Sequence, residues 1–337
     1  MWSDQHDFRL LSNDGLDRVE IRMNQMAATV QDDLASFIVR EHLDTGGKRI
    51  RARLALTAFE ELGGKRNAIV DWAAAVEILH NATLLHDDIQ DGDTQRRNQP
   101  TAWAKHGIGQ ALNAGDLMLM LPTLAVANLE ILAAQKWQLA ERIAQRSAAT
   151  VHGQCLEMDL LNQERLDWSS YLTATAGKTG QLLALPVEGA AIVAGISPEQ
   201  ASAIADAFVE IGVIYQLQDD SRDLLTTKGR GERGCDLREG KVSALVVAHA
   251  ELHPEDQGWL IDLLKTPRQE TPIERIDEAI ERFKNRGAFT RVQDEISTRA
   301  QQLLDAQIFV QNFELKGIAE ELLLWIQARA TGKGSAP

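Results

Sequence analysis

Val19, Met23, Met26, Val30, Leu34 and Phe37 recur three or four residues apart, the period that lines one face of a helix. The pattern stops at Gly46-Gly47. A second helical run is predicted over about 49–62, closed by Gly63-Gly64, because a residue without Cβ accepts the left-handed conformation that ends helices. Long helices are also predicted near 67–91, 107–134, 136–163, 168–195 and 197–226. Several are apolar on almost every side, so they belong at the centre of a bundle with other helices around them. Residues 226–234, Thr-Thr-Lys-Gly-Arg-Gly-Glu-Arg-Gly, read as a basic, glycine-rich loop, followed by shorter helices from about 241 and a frayed tail at 332–337. No alternating strand pattern competes, and no repeat or linker interrupts the chain. The expected architecture is a single all-α domain over 1–331, a large helical bundle with a central cavity.

Composition agrees with that picture. The 337 residues are 44% hydrophobic and 25% charged, too apolar for intrinsic disorder and sufficient for a packed core. The net charge of −14 argues against nonspecific binding to nucleic acid or to an anionic membrane. Only Cys155 and Cys235 are present, so a disulfide framework is not expected and a reducing, cytoplasmic location is. The first residues show no basic segment leading into an apolar run, and no stretch reaches the roughly 18 uncharged apolar residues that span a bilayer. Neither a signal peptide nor a membrane span is expected.

Chemistry concentrates in two acidic clusters. Leu84-Leu85-His86-Asp87-Asp88-Ile89-Gln90-Asp91 ends an apolar helix, and the i, i+4 spacing puts Asp87 and Asp91 on one face. Like charges so placed repel unless a cation lies between them. Alone, the cluster is as readily a solvated helix end. The pattern returns, however, in Tyr215-Gln216-Leu217-Gln218-Asp219-Asp220-Ser221-Arg222-Asp223. Carboxylate oxygens without a clear His or Cys set favour a hard ion such as Mg2+, which shares its shell with phosphate oxygens and water. Two clusters facing each other across a bundle would hold several such ions.

Basic residues stand near the clusters or at helix starts: Arg96-Arg97 after the first cluster, and Lys48, Arg49, Arg51 and Arg53 after Gly46-Gly47. Each alone is ordinarily a solvated charge. In an acidic chain with a magnesium site, their concentration points to a diphosphate substrate.

These residues, in order, resemble the all-trans polyprenyl diphosphate synthases, which join isopentenyl diphosphate to an allylic diphosphate. The resemblance covers roughly residues 30–250. Its motifs are Gly46-Gly47-Lys48-Arg49-Ile50-Arg51, Glu77-Ile78-Leu79-His80, the first Asp cluster with Arg96-Arg97 and Pro100-Thr101, Asn113-Ala114-Gly115-Asp116, Gly153-Gln154, Lys178-Thr179, Tyr215-Gln216 with the second Asp cluster, and Gly234-Cys235-Asp236-Leu237 with Gly240-Lys241. It implies the isoprenoid synthase fold and a homodimer. It also implies Mg2+, three ions with diphosphate bound, held by Asp87, Asp91 and Asp219 with Asp88, Asp220 and Asp223 assisting. Arg96, Lys178 and Lys241 would hold the allylic diphosphate, of five, ten or fifteen carbons. Lys48, Arg51, His80 and Arg97 would bind isopentenyl diphosphate. A lone histidine in an apolar helix is more often a core residue, and His80 is singled out by its place before Asp87. Thr179 and Gln216 would turn oxygen dipoles toward the developing allylic cation.

The resemblance further places the growing chain beside the helix of the first cluster. Ala82 and Thr83, five and four residues before Asp87, are small, and Ala82 lies about 7.5 Å along that helix from Asp87. Leu79 and Ile78 would form the next barrier, and the expected product is C20 geranylgeranyl diphosphate, with C25 or longer as the alternative. Departures from the family pattern are Asn98 where a Gly follows the Arg pair, Ala52 where a Pro follows Arg51, Gly231 where a Lys precedes Gly-x-Asp (Arg230 or Arg233 being its replacement), and Val242-Ser243-Ala244-Leu245 after Lys241. A class I terpene cyclase, a metal phosphohydrolase using His80, His86 and Asp87, and a noncatalytic partner subunit are the rival readings. The second aspartate cluster disfavours the first two, and intact acids in both clusters disfavour the third.

Overall fold

A computed structural model describes residues 10, 12–28, 33–225 and 234–330. The expected loop over 226–233, with Arg230, Gly231 and Arg233, and the expected tail at 332–337 lie outside the described residues. Those residues form helices α1 (Leu16–Ala28), α2 (Leu34–Asp44), α3 (Ile50–Glu61), α4 (Val70–Gln90), α5 (Ala102–His106), α6 (Ile108–Asn128), α7 (Ala133–Asp159), α8 (Trp168–Thr175), α9 (Gln181–Val193) and α10 (Pro198–Leu225). Shorter helices follow: α11 (Cys235–Arg238), α12 (Ala244–Leu252), α13 (Gln257–Lys265), α14 (Ile273–Asn285), α15 (Ala288–Leu304), α16 (Gln307–Gln311) and α17 (Phe313–Ala330). Among the described residues the fold is all-α apart from one antiparallel hairpin, β1 (Gln95–Arg96) and β2 (Gln99–Pro100).

Three local differences from the sequence pattern have identifiable causes. The single amphipathic run expected from Val19 to Phe37 is two helices, because Asp33 opens a new one: its carboxylate accepts the Ser36 N–H at 2.9 Å. The helix expected over 168–195 is divided by a π turn at Ala176–Gly180, a rare form that is frequent at functional sites. The hairpin escaped prediction because two-residue strands are too short to show a period of two.

The described chain divides into two compact units. One comprises residues up to Arg146 with 182–206 and 312–321; the other comprises 147–181, 207–311 and 322 onward. In the first unit α4 is the central helix and packs most extensively on α6, then on α3 and α1. Its Trp72, Ala73, Ala74, Ala75, Ile78, Leu79, Ala82 and Leu85 are all buried. The alanines let neighbouring helices come close, while Trp72 fills the volume and donates its indole N–H to the Pro186 carbonyl of α9 at 3.0 Å. By length and composition the helical stretch Arg66–Gln90 would suffice to cross a membrane, but 67% of its most apolar window is buried within the protein, as for a core helix.

In the second unit α12 packs on α15 and α8. The π turn passes so close to α7 that a Cβ on Gly153 would fall 2.2 Å from the Lys178 backbone nitrogen. Glycine at 153 is therefore a condition for Lys178 and Thr179 standing where they do.

Candidate functional site

In the first unit, Asp87 and Asp91 stand one turn apart at the C-terminal end of α4, both half-buried. Asp88 between them points inward, 1% exposed. Its Oδ1 accepts from Arg96 Nε at 2.8 Å and lies 2.6 Å from Nη2, while Oδ2 is buried without a hydrogen-bond partner. Burial raises the Asp88 pKa and the Arg96 guanidinium opposes the rise. Arg96 reaches this position from β1, and the turn that follows has Arg97 and Asn98 both at positive φ, 53° and 62°. A two-residue hairpin loop with both residues left-handed matches strand twist, and asparagine is the side chain that best tolerates it after glycine. The Asn98 departure therefore preserves the turn. The Asp93 carbonyl fixes the hairpin's base by accepting from Thr101 Oγ1 and Trp103 Nε1, each at 2.8 Å.

The structure gathers the basic side chains of this unit around two histidines. His42 is buried, and burial followed by the charges of Arg96, Arg97 and Arg49 brings its pKa down to about 3. Burial likewise depresses His80 well below the ordinary imidazole range, with Arg51, Arg96, Arg97 and His42 adding to it. Both imidazoles are neutral at pH 7 and surrounded by fixed positive charge, an arrangement that attracts an anion. Lys48 is exposed and Arg51 half-buried. Arg97 lies against Gly47, where a Cβ would come within 2.7 Å of its guanidinium, and donates to Thr45 Oγ1 at 3.3 Å. The Ala52 departure also has a reason: its N–H donates to buried Glu77 Oε2 at 3.1 Å, a bond proline could not make.

In the second unit, Asp219 is half-buried on α10, whereas Asp220 and Asp223 are buried. Asp220 accepts from Tyr171 Oη at 2.7 Å, Gln216 Nε2 at 2.8 Å and Ala244 N at 2.7 Å. Burial pushes its pKa up to about 7, Asp236 adding to the rise. Asp223 Oδ2 accepts the Asp236 N–H at 3.0 Å. Gln216, its amide nitrogen committed to Asp220, turns its oxygen to accept from Thr179 Oγ1 at 3.0 Å. Lys178 pairs with Glu157, and Lys241 lies 2.9 Å from Glu239.

Asp88, Asp220 and Asp223 accept from protein donors, respectively Arg96, then Tyr171, Gln216 and Ala244, then the Asp236 N–H, so carboxylates expected to assist a metal also position these groups. Among the described residues no group of three or more His, Cys, Asp or Glu stands together as a ready-made metal site. Asp87 with Asp91, and Asp219, supply oxygen donors only. Such incomplete, all-oxygen sets fit an ion that fills its shell with substrate phosphate and water. Of the residues given no role by the sequence, Tyr171 is one of only two tyrosines in the chain, and no spacing signals it.

The chain matches the polyprenyl synthetase family model over residues 32–283. It is 34% identical over 277 residues to the short chain isoprenyl diphosphate synthase of Methanothermobacter thermautotrophicus, covering 80% of this chain and 83% of that one. It is 32% identical over 238 residues to the octaprenyl diphosphate synthase of Escherichia coli, covering 68% and 70%. A crystal structure of geranylgeranyl pyrophosphate synthase superimposes with a TM-score of 0.82 at 25% identity, covering 95% of this chain and 99% of that one.

Proposed function

Because the chain belongs to the polyprenyl synthetase family and is a prenyltransferase, we propose that it condenses isopentenyl diphosphate with an allylic diphosphate in a Mg2+-dependent reaction whose main product is C20 geranylgeranyl diphosphate. The observation that carries this reading is the pairing of half-buried Asp87, Asp91 and Asp219 with the neutral-histidine, arginine-rich cluster of Arg51, His80, Arg96 and Arg97. The first set suits magnesium and the second a diphosphate.

Asp87, Asp91 and Asp219 would hold the ions. When bound, Mg2+ supplies positive charge to the diphosphate that departs from carbon 1 of the allylic chain. Lys178 and Lys241, each beside a glutamate, add fixed charge to the same group, and Arg96 is held ready by Asp88. The Thr179 and Gln216 oxygens lie in one hydrogen-bonded row and offer negative dipole to the allylic cation, preorganised and therefore effective. Lys48, Arg51, His80 and Arg97 orient isopentenyl diphosphate. Its double bond forms the new carbon–carbon bond, the allylic carbon–oxygen electron pair leaves with diphosphate, and the proton lost from the isopentenyl unit passes to that released diphosphate. No side-chain nucleophile is required.

The C20 reading rests on α4. Ala82, Leu79 and Ile78 are buried and Thr83 is half-buried, and small side chains at 82 and 83 would leave no early barrier to a chain growing beside this helix. The octaprenyl relative supports a longer product as the second reading. Incubating the purified chain with Mg2+, isopentenyl diphosphate and each of the C5, C10 and C15 starters, followed by mass spectrometry, tests both. A C20 diphosphate is expected; accumulation of C25 or longer products selects the longer reading, and inorganic phosphate or a cyclic hydrocarbon in its place rejects the reaction. Ala82→Phe is expected to shorten the product, and an unchanged distribution from a folded, active variant places that residue away from the chain.

A further inference from the structure

Between Lys48 and Arg51 stands Arg49, a residue with no part in the reaction as drawn. Its backbone is left-handed, φ 50° and ψ 40°, a region that side chains bearing a Cβ rarely occupy. Its side chain is only 2% exposed. Nε donates to Glu20 Oε1 at 2.6 Å, and Nη2 donates to Glu20 Oε2 at 3.2 Å and to the Leu43 carbonyl at 2.7 Å. The third nitrogen, Nη1, is buried without a hydrogen-bond partner, so the guanidinium's observed bonds all run to Glu20 and Leu43. The Arg49 carbonyl then accepts the Arg53 N–H at 2.9 Å and starts α3.

These bonds tie one turn to α1 through Glu20 and to the last turn of α2 through Leu43. Glu77 of α4 holds the other end of the turn at Ala52. A left-handed backbone at such a residue persists only where its surroundings over-determine it, and a buried guanidinium stays buried only while its partners remain. Release of either would let φ return to negative values and swing Lys48 away from Arg51. We infer that Arg49, anchored by Glu20, is a positioning residue that sets the direction of Lys48 and Arg51 through the backbone, and that it does not itself touch diphosphate. This rests on the reading that Lys48 and Arg51 bind isopentenyl diphosphate.

Glycine separates the two ways Arg49 could act, because it takes positive φ without an anchor. Steady-state kinetics of the full chain, with isopentenyl and allylic diphosphates varied separately, would compare Arg49→Ala, Arg49→Gly, Glu20→Gln and Lys48→Ala. Arg49→Ala is expected to raise KM for isopentenyl diphosphate about tenfold, the scale of one charge-assisted hydrogen bond misplaced. The allylic KM should move by less than about twofold, within the spread of surface changes. Arg49→Gly should recover most of the loss, and Glu20→Gln should give a rise of about threefold in the same constant. Equal impairment of the Gly and Ala variants overturns the proposal, since the guanidinium itself would then be the ligand. If Arg49→Ala does not fold, Glu20→Gln carries the test, and an unchanged KM there overturns the proposal as well. An unchanged KM in Lys48→Ala instead rejects the reading of this turn as a diphosphate site.

Discussion

Asp88 and Asp220 hold the same place in the two aspartate clusters, yet Asp88 meets the Arg96 guanidinium and Asp220 meets a phenol, an amide and a backbone N–H. Burial raises both pKa values. In the first cluster a full positive charge offsets it, and the pair serves to steer Arg96. In the second, neutral donors offset it less, and the carboxyl serves to fix the face of Gln216 turned to Thr179. The same Asp-Asp-x-x-Asp spacing thus produces a charge-positioning device in one unit and a dipole-positioning device in the other. Asp87, Asp91 and Asp219, by contrast, are alike: each is half-buried and supplies oxygen.

The sharpest test of that likeness is Asp87→Ala beside Asp219→Ala. Each should lower turnover by roughly three orders of magnitude, since metal-held charge is worth several kcal/mol in the transition state, while unfolding temperature stays near wild type. Wild-type turnover in either variant breaks the assignment of its cluster.

Asp220→Asn probes the dipole device. An asparagine amide can keep the bonds from Tyr171 and Ala244 on its oxygen, but its nitrogen then faces the Gln216 nitrogen and forces that amide to flip. We expect kcat to fall by about ten- to a hundredfold, the range of supporting-shell changes, with KM for isopentenyl diphosphate unmoved and stability nearly so. A fall in stability with no change in kcat would show that the Gln216 orientation is irrelevant to turnover. Asp88→Asn probes the charge device, and here stability should fall, by about 1–3 kcal/mol in urea unfolding, because Arg96 loses the acceptor of its charge. Equal stability losses in the two variants would erase the distinction between the clusters.

The histidines give a smaller, pH-dependent effect confined to the first unit. His42 is neutral when folded, with a pKa of about 3, and takes a proton near 6.5 when unfolded. The unfolded chain therefore binds more protons below 6.5, and stability present at pH 7 is lost as pH falls, by up to about 1.4 kcal/mol per pH unit from this one group. Urea midpoints measured from pH 7 to pH 5 should show that slope, and His42→Asn should flatten it; an identical slope in the variant would assign it elsewhere. The smallest expected effect is at the hairpin. Asn98→Gly should change stability by no more than about 0.5 kcal/mol, because both residues accept positive φ, and a loss well above that, read from the same unfolding curves, would mean that the asparagine side chain has a role of its own.

Much of this was legible in the chain. Periodicity marks most of the long helices, the repeated aspartate pattern marks the candidate chemistry, and motif order singles out Lys178, Thr179 and Gln216. What escaped depends on partners distant in sequence. Tyr171 reaches Asp220 across 49 residues and Glu20 reaches Arg49 across 29, and no local pattern encodes either pairing.

The helical class, the family and the identity of the acidic and basic side chains are written in the chain, because hydrophobic period, residue type and motif order are local properties. The burial of Asp88, Asp220 and Asp223 beside half-buried Asp87, Asp91 and Asp219, the tolerance of Asn98 and Ala52, and the inward turn of Arg49 emerge only in the folded chain. Those outcomes depend on burial and on which donors come within 3 Å, and both are set by packing between segments far apart in the chain.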